Sequence, residues 1–275
     1  MGFNRSQLAG VNQHYRHASY EMYLDSMVSC GIKNLEMWCG APHFLLDSDG
    51  YGDCRKLLAA AKARNLRYVS LTAPNMQWQY QMAASNPEQR AKSLRYFQNG
   101  VHVAAELGCR IMVVCSGWGN WDEPRDVAFA RAVEMVASVA DTAQEDGIIL
   151  ALESLQPIES NLVVTLADAV RFHRMVNHPA LKLMIDTVAV RVAGETPAQW
   201  FATFGSDIVH CHFIDGAPSG HCAWGDGESS LTETLEAFAQ YNYQGYYTVE
   251  LGGRYLNDPF GAEHRNMETL KRYFD

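Results

Sequence analysis

Four short, mostly apolar runs in the second half of the chain each end on a residue type that binds metal ions. These residues are Glu153, Asp186, His212 and Glu250. The successive intervals are 33, 26 and 38 positions (153 to 186, 186 to 212 and 212 to 250), about the length of one strand plus one helix each time. In a βα barrel the ends of successive parallel strands converge on one mouth, so we expect the four side chains to lie together.

Two glutamates, one aspartate and one histidine form a donor set that suits a divalent cation. Carboxylate oxygens and an imidazole bind ions such as Mn, Co, Ni or Mg, and no cysteine cluster accompanies them that would indicate a structural zinc site. A single strand-end Glu often makes only structural hydrogen bonds. Four ligand types on four consecutive strands favour one bound metal ion instead.

Such an ion with two flanking carboxylates suits removal of a proton from a carbon next to a carbonyl. The ion binds the carbonyl and the adjacent hydroxyl, and it stabilises the negative charge that develops as an enediolate forms. If one glutamate takes the proton from one face and the other returns a proton to the opposite face, the carbon is inverted. Glu153 and Glu250 are therefore the predicted catalytic acid and base as well as metal ligands.

The elements that must position these residues alternate along the chain. Eight β-type runs and eight amphipathic stretches in strict alternation predict a parallel sheet with crossover helices, closed into an α/β fold, the single (β/α)8 TIM barrel. The length of 275 residues is near the ~250 typical of such a barrel, so one domain over residues 1–275 is expected. The predicted strands are Gln7–Asn12, Asn34–Trp38, Arg67–Leu71, Arg110–Cys115, Ile148–Glu153, Leu181–Asp186, Ile208–Phe213 and Tyr246–Leu251. The predicted helices are Ser19–Cys30, Arg55–Arg64, Pro87–Leu107, Arg125–Glu145, Leu166–Val176, Pro197–Phe204, Leu231–Tyr241 and Pro259–Tyr273.

Polar and aromatic residues in the loops after the strands are candidates for substrate binding. Glu159 lies six positions after Glu153, and His221 follows His212 in a turn-rich loop that we expect to cover the mouth. A small polyol site commonly combines aromatic faces with amides and an imidazole. His210 fits either a supporting role behind His212 or a place in the core. The loops after the second, third and fourth strands supply three further candidates, for which loop packing is the alternative: His43, Asn75 and Trp118.

Composition argues against several other classes of protein. The chain has 22 Lys and Arg against 31 Asp and Glu, a net charge of −9, with no basic run, so a nucleic-acid partner is not expected. No apolar stretch reaches the ~18–20 residues of a membrane helix, and the N-terminal segment has no signal-peptide core. The seven cysteines include no CxxC pair, which favours reduced thiols and a cytoplasmic protein.

Several segments resemble the xylose isomerase-like TIM-barrel superfamily, in its sugar-phosphate isomerase/epimerase branch, and most of all fructoselysine 3-epimerases and other ketose 3-epimerases. The resemblance implies that Glu153 and Glu250 are paired metal ligands that exchange the proton. It also implies that Asp186 and His212 complete the ligand set, that Glu159 contacts a small sugar substrate, and that the chain forms a homo-oligomer. The segments that carry the resemblance are residues 35–44, 152–164, 184–190, 210–215, 221–228 and 246–251.

The chain departs from the tagatose- and psicose-type epimerases at two positions. Those enzymes carry a His three residues after the metal-binding Asp and an Arg after the metal-binding His, where this chain has Ala189 and, approximately, His221. The departure favours a substituted ketose, such as a fructosamine-type conjugate, over a free sugar. The expected function is inversion of C3 of such a ketose. The alternatives are an aldose–ketose isomerase of the hydroxypyruvate type, an inosose dehydratase, a metal-dependent endonuclease and a non-catalytic sugar-binding barrel.

Overall fold

Eight parallel strands close into a barrel. The structure is a computed structural model that describes residues 3–74 and 79–274. The strands are β1 (Leu8–Val11), β2 (Asn34–Trp38), β3 (Leu46–Asp47), β4 (Gly50–Tyr51), β5 (Arg67–Thr72), β6 (Ile111–Val114), β7 (Ile149–Leu152), β8 (Leu181–Asp186), β9 (Ile208–His212) and β10 (Tyr247–Val249). The ring order is β1, β2, β5, β6, β7, β8, β9 and β10, with β10 pairing back onto β1, and β3 and β4 form a separate antiparallel hairpin.

Helices follow the barrel strands and pack around them, which confirms the predicted (β/α)8 fold. Their apolar sides cover the outer face of the sheet, so the strands are buried almost throughout and need no polar alternation. The helices are α1 (Tyr20–Cys30), α2 (Cys54–Lys62), α3 (Pro87–Leu107), α4 (Arg125–Glu145), α5 (Leu166–Val176), α6 (Thr187–Val192), α7 (Pro197–Phe204), α8 (Leu231–Gln240) and α9 (Pro259–Leu270).

The long helix α3 shows how local sequence sets these boundaries. The Asn86 side chain accepts hydrogen bonds from the backbone N–H groups of Glu88 and Gln89, and Pro87 occupies the first turn, where a missing N–H costs nothing. The helix ends at Gly108, whose φ of +73° is a left-handed conformation that other residues adopt only with strain. The next strand can therefore begin within three residues.

Two strands and one α-helix were not among the predicted elements. The hairpin of β3 and β4 lies in the connection between β2 and α2, and the short helix α6 lies directly after β8. Helix α6 begins because the Asp186 Oδ1 atom accepts hydrogen bonds from the backbone N–H groups of Val188 and Ala189, at 2.8 and 2.7 Å. The residue predicted as a metal ligand is thus also the N-terminal cap of a helix.

The barrel strands carry a small apolar cluster and a buried polar contact between strands. Val113, Ala151 and Met184, on β6, β7 and β8, pack together as a small apolar cluster. The Glu36 carboxylate on β2 lies 2.6 Å from the Nε2 atom of His210 on β9, the strand partner of Met184. Because β2 and β9 are not neighbours in the ring, this contact crosses the inside of the barrel.

All seven cysteines lie within the described residues, where they are buried and unpaired. None of the helices in residues 3–74 and 79–274 combines the length and apolar character needed to cross a bilayer.

Candidate metal centre and sugar pocket

The four strand-end residues meet at the carboxyl ends of β7 to β10. Each of Glu153, Asp186, His212 and Glu250 offers a ligand atom, and all four atoms lie within 4.8 Å of one another. The Nδ1 atom of His212 is 2.6 Å from Glu153 Oε1, 3.1 Å from Glu250 Oε2 and 4.0 Å from Asp186 Oδ2. All four residues are buried. The barrel thus brings together the residues that the strand spacing selected.

Capping of helix α6 fixes the orientation of the Asp186 carboxylate. Its Oδ1 atom is held by the first backbone N–H groups of α6, while its Oδ2 atom faces the cluster, 3.7 Å from His221 Nε2. One oxygen therefore holds the backbone and the other is available to a ligand. The side chain needs no rotation to do both.

Burial and neighbouring charges shift the pKa values of the acidic groups in the cluster in opposite directions. Burial raises the pKa of Glu153, and it raises that of Asp186 to about 6. Burial also raises the pKa of Glu250, but the adjacent His212 and His221 outweigh it and lower that pKa to about 2. Desolvation lowers the pKa of His221, yet Glu250 and Asp186 beside it raise the pKa to about 10.

The donor set fits a divalent cation. Three carboxylates converge on one buried point, where their mutual repulsion and desolvation disfavour the charged forms. A divalent cation offsets both costs, and an imidazole with three carboxylates is a donor set that Mn, Co, Ni or Mg accepts. His212 suits this role because its other nitrogen, Nε2, is engaged by Glu36 at 3.0 Å, leaving Nδ1 toward the carboxylates.

We expect chelator-treated protein to bind one Mn²⁺ per chain in a calorimetric titration. At a concentration 100-fold above Kd, the ion should raise the free energy of unfolding by about 2.7 kcal/mol. Asp186→Asn keeps an oxygen to cap α6 but replaces the second carboxylate oxygen with an NH2 group, so affinity should fall at least about tenfold. Asp141→Asn, exposed on α4, is the control and should bind as the wild type does. A wild-type protein without measurable binding would contradict the metal assignment.

Glu36 supports the cluster from behind and was not singled out by the sequence. Its Oε1 atom contacts His212 Nε2 and accepts a hydrogen bond from the Thr72 hydroxyl; its Oε2 atom contacts His210 and accepts from the Ser70 hydroxyl, all at 2.6–3.0 Å. Burial alone raises the pKa of Glu36, but the two imidazoles hold it well below its usual range. The only sequence signal is one acidic residue inside an apolar strand.

His221 reaches the cluster from the loop after β9. Its Nδ1 atom lies 3.0 Å from Glu250 Oε2, closer than its approach to Asp186. The loop is held by Asp215, whose carboxylate accepts hydrogen bonds from the backbone N–H groups of residues 216, 225, 227 and 229 at 2.7–3.2 Å. A buried carboxylate with four N–H donors fixes the loop that presents His221.

A cavity of about 150 Å³ opens over the cluster. Glu159 lines this cavity and also a neighbouring one of about 600 Å³, which Trp118 lines as well. Its own carboxylate accepts a hydrogen bond from the backbone N–H of Gln156, and burial raises its pKa. The residues around the smaller cavity are Gln13, Arg16, Trp38, Thr72, Pro74, Glu153, Ser154, Leu155, Glu159, Asp186, Ala189, His221 and Glu250.

One of the loop residues that were candidates for substrate binding, His43, does not line either of these cavities. Both ring nitrogens of His43 are engaged elsewhere, Nδ1 with the Asn12 side chain and Nε2 with the Ala18 carbonyl, each at 3.0 Å. These contacts tie the loop after β2 to the loop after β1, which is a structural role. Asn75 lies outside the described residues.

Sequence comparison finds relatives that are sugar epimerases. Fructoselysine 3-epimerase from Shigella flexneri is 27% identical over 243 residues, which cover 88% of each chain. D-psicose 3-epimerase from Ruminiclostridium cellulolyticum is 23% identical, over 85% of this chain and 78% of that protein. These relatives are epimerases, and so belong to the isomerase class.

Solved structures show the same fold at lower identity. The apo form of 3-keto-D-glucoside 4-epimerase from E. coli superposes with a TM-score of 0.81 at 18% identity, covering 97% of this chain and 99% of the other. D-psicose 3-epimerase crystallised in the presence of D-fructose gives a TM-score of 0.77 at 17% identity, with the same two coverages. The sequence model of the xylose isomerase-like TIM barrel family matches residues 24–273, nearly the whole chain. This protein therefore belongs to the xylose isomerase-like TIM barrel family.

Proposed function

We propose that the protein is a divalent-metal-dependent ketose 3-epimerase that inverts C3 of a ketose or fructosamine-type sugar. The observation that carries the proposal is the position of two carboxylates, Glu153 and Glu250, within 3.1 Å of the same His212 nitrogen in a buried cluster that lines a cavity. Epimerisation through a proton on carbon needs two such groups at one carbon. The two curated relatives carry the name 3-epimerase, which supports the same reaction.

Different residues have different roles in the proposed reaction. A bound Mn, Co, Ni or Mg ion would supply stabilisation of the negative charge that develops on the sugar oxygens. Glu153 and Glu250 exchange the proton of C3, one on each face, and together with Asp186 and His212 they would hold the ion. His221, 3.0 Å from Glu250, keeps that carboxylate in place.

The rest of the cavity suits a hydroxyl-rich ligand. Ser154 and Gln13 line the cavity, and their buried Oγ and Oε1 atoms have no hydrogen-bond partner within residues 3–74 and 79–274. Each would gain a bond from a sugar hydroxyl, as would the Glu159 carboxylate. Buried polar groups without partners are costly, so a ligand that supplies several hydroxyls is favoured.

A substituent on the sugar has room beside this cavity. The larger cavity adjoins it at Glu159, and its wall includes the exposed apolar side chains of Ile158 and Trp121 as well as Trp118. Ala189 adds little bulk to the smaller cavity. This space favours a ketose conjugate as the substrate. A cytoplasmic location and a homo-oligomer stay predictions from the sequence.

Exchange of the C3 proton with solvent tests the reaction type. In D2O, protein loaded with Mn²⁺, Co²⁺ or Ni²⁺ should incorporate deuterium at C3 of at least one member of a panel of ketoses and fructosamines, followed by NMR. The C3 epimer should appear in the same sample. An aldose as the product would identify an aldose–ketose isomerase, and loss of water would identify a dehydratase. A panel without exchange at C3 contradicts the epimerase proposal.

A further inference from the structure

Arg16 is the one arginine among the residues that line the small cavity. The residue lies in the loop between β1 and α1 and is half-buried. It shares the cavity wall with the metal-centre residues Glu153, Asp186 and Glu250. Its Nη2 atom lies beside Gly253, at 3.4 Å from the position that a Cβ would take there. The guanidinium therefore lies against the turn that follows β10.

The Arg16 side chain has no hydrogen-bond or ion-pair partner within the described residues, although acidic side chains share its cavity. The other half-buried arginines all bind a carboxylate: Arg64 with Asp25, Arg90 with Glu134, Arg131 with Glu123 and Arg191 with Glu228. A guanidinium partly removed from water without an anion is unfavourable, so the position suits a group that binds an incoming anion.

The acidic residues of the cavity are themselves engaged. Glu250 contacts His212 and His221, and Glu153 contacts His212. Once a cation occupies the cluster, these carboxylates are also neutralised by it. The positive charge of Arg16 then remains available within the same cavity, and its planar donors match the two oxygens of a carboxylate or phosphate.

We infer that Arg16 binds an anionic group of the sugar substrate, a carboxylate or a phosphate, and so makes the protein selective for anionic ketoses. The inference rests on the proposed function in taking the cavity's ligand to be a ketose. It adds a determinant of specificity, because the metal centre alone does not distinguish a charged ketose from a neutral one.

Two matched pairs of ligands test this role by binding. One pair is fructose 6-phosphate and fructose; the other is the fructosamines of 6-aminohexanoate and of hexylamine, which differ in a terminal carboxylate. Calorimetry with Mn²⁺-loaded protein should show binding of at least one anionic member about 10- to 100-fold tighter than its neutral partner. The pair that shows the preference identifies the anion as phosphate or carboxylate.

Variants at Arg16 separate charge recognition from folding. Arg16→Gln should abolish the preference with little change for the neutral ligands, and Arg16→Lys should restore part of it, because lysine keeps the charge without the planar donors. Arg95→Gln, an exposed arginine of α3, is the matched control and should behave as the wild type. A wild type without preference in either pair, or a preference that persists in Arg16→Gln, overturns the inference.

Failure of the proposed reaction gives a different pattern. If the preference is present in the wild type and lost in Arg16→Gln, but no ketose exchanges its C3 proton, the anion site stands and the epimerase proposal falls. If exchange occurs with equal kcat/KM for charged and neutral members, the epimerase proposal stands and the role of Arg16 falls. With turnover, the Arg16→Gln effect should be confined to KM for anionic substrates.

Discussion

Replacing Glu250 with glutamine is expected to lower the rate of C3 inversion by about 10³-fold or more, and Glu153→Gln should do the same. Each change removes a carboxylate that contacts the cluster's central imidazole and, in the proposed reaction, one of the two groups that move the proton. Glutamine keeps the size of the side chain, so the buried packing should survive. The measurement is NMR of the C3 epimer formed by Mn²⁺-loaded protein.

The two variants should differ in which epimer still exchanges its proton. If each glutamate serves one face of the carbon, Glu250→Gln leaves Glu153 able to remove and return a proton on its own face. Residual deuterium should then enter one C3 epimer without inversion in Glu250→Gln, and the opposite epimer in Glu153→Gln. Residual exchange of the same epimer in both variants would contradict a two-face mechanism.

Loss of metal must be separated from loss of proton transfer, because both glutamates lie in the cluster. Each variant should therefore be assayed at Mn²⁺ concentrations well above its own measured Kd. If saturating ion restores inversion to within about tenfold of the wild type, the residue is a ligand and not a member of the proton relay. Glu145→Gln makes the same chemical change at the exposed end of α4 and should leave the rate unchanged.

Strand order and strand ends were predictable because they depend on local pattern. Continuous apolar runs mark strands that are buried on both faces, and a polar residue that closes such a run stands at the barrel mouth, as at Glu153 and Glu250. At Asp186 the sequence predicts the position of the residue but not the helix that follows it. Its place at the end of β8 follows from the pattern, whereas helix α6 is six residues long and starts only because that side chain caps it.

Contacts that depend on closure of the barrel could not be predicted from local sequence patterns. Glu36 and His212 are 176 positions apart, and nothing in either segment indicates that the two side chains meet. The same holds for Arg16, which lies in an irregular loop and reaches the cavity through the position of that loop against Gly253. His43 is the opposite case, because its residue type suits substrate binding but both of its ring nitrogens contact other residues of the protein.

Glu36→Gln is expected to weaken cation binding about 10- to 100-fold, although it replaces none of the three carboxylates predicted to bind the ion. Glu36 Oε1 lies 3.0 Å from His212 Nε2, so a carboxylate there keeps a proton on Nε2 and a lone pair on Nδ1. An amide NH2 group in that place would donate to Nε2 instead. The ring proton would then sit on Nδ1, the atom that faces Glu153 and Glu250, and would block the ion.

The opposite orientation of the amide has its own cost. The NH2 group then faces the Ser70 hydroxyl and His210 Nε2, which lose their acceptor inside the barrel. In either orientation the amide NH2 group faces another buried hydrogen-bond donor. The free energy of unfolding should therefore fall by about 1–3 kcal/mol in the metal-free protein. Denaturant unfolding of chelator-treated protein measures this loss separately from the loss of affinity.

Ser70→Ala is the control that distinguishes the two effects of Glu36. It removes one hydrogen bond to Glu36 Oε2 but leaves the carboxylate against His212, so stability should fall by about 1 kcal/mol while Mn²⁺ affinity stays within about threefold of the wild type. If Ser70→Ala weakens Mn²⁺ binding as much as Glu36→Gln does, general loosening of the barrel interior accounts for both. If Glu36→Gln binds Mn²⁺ as tightly as the wild type, the carboxylate does not set the His212 tautomer, and its role is confined to holding the four donors that surround it.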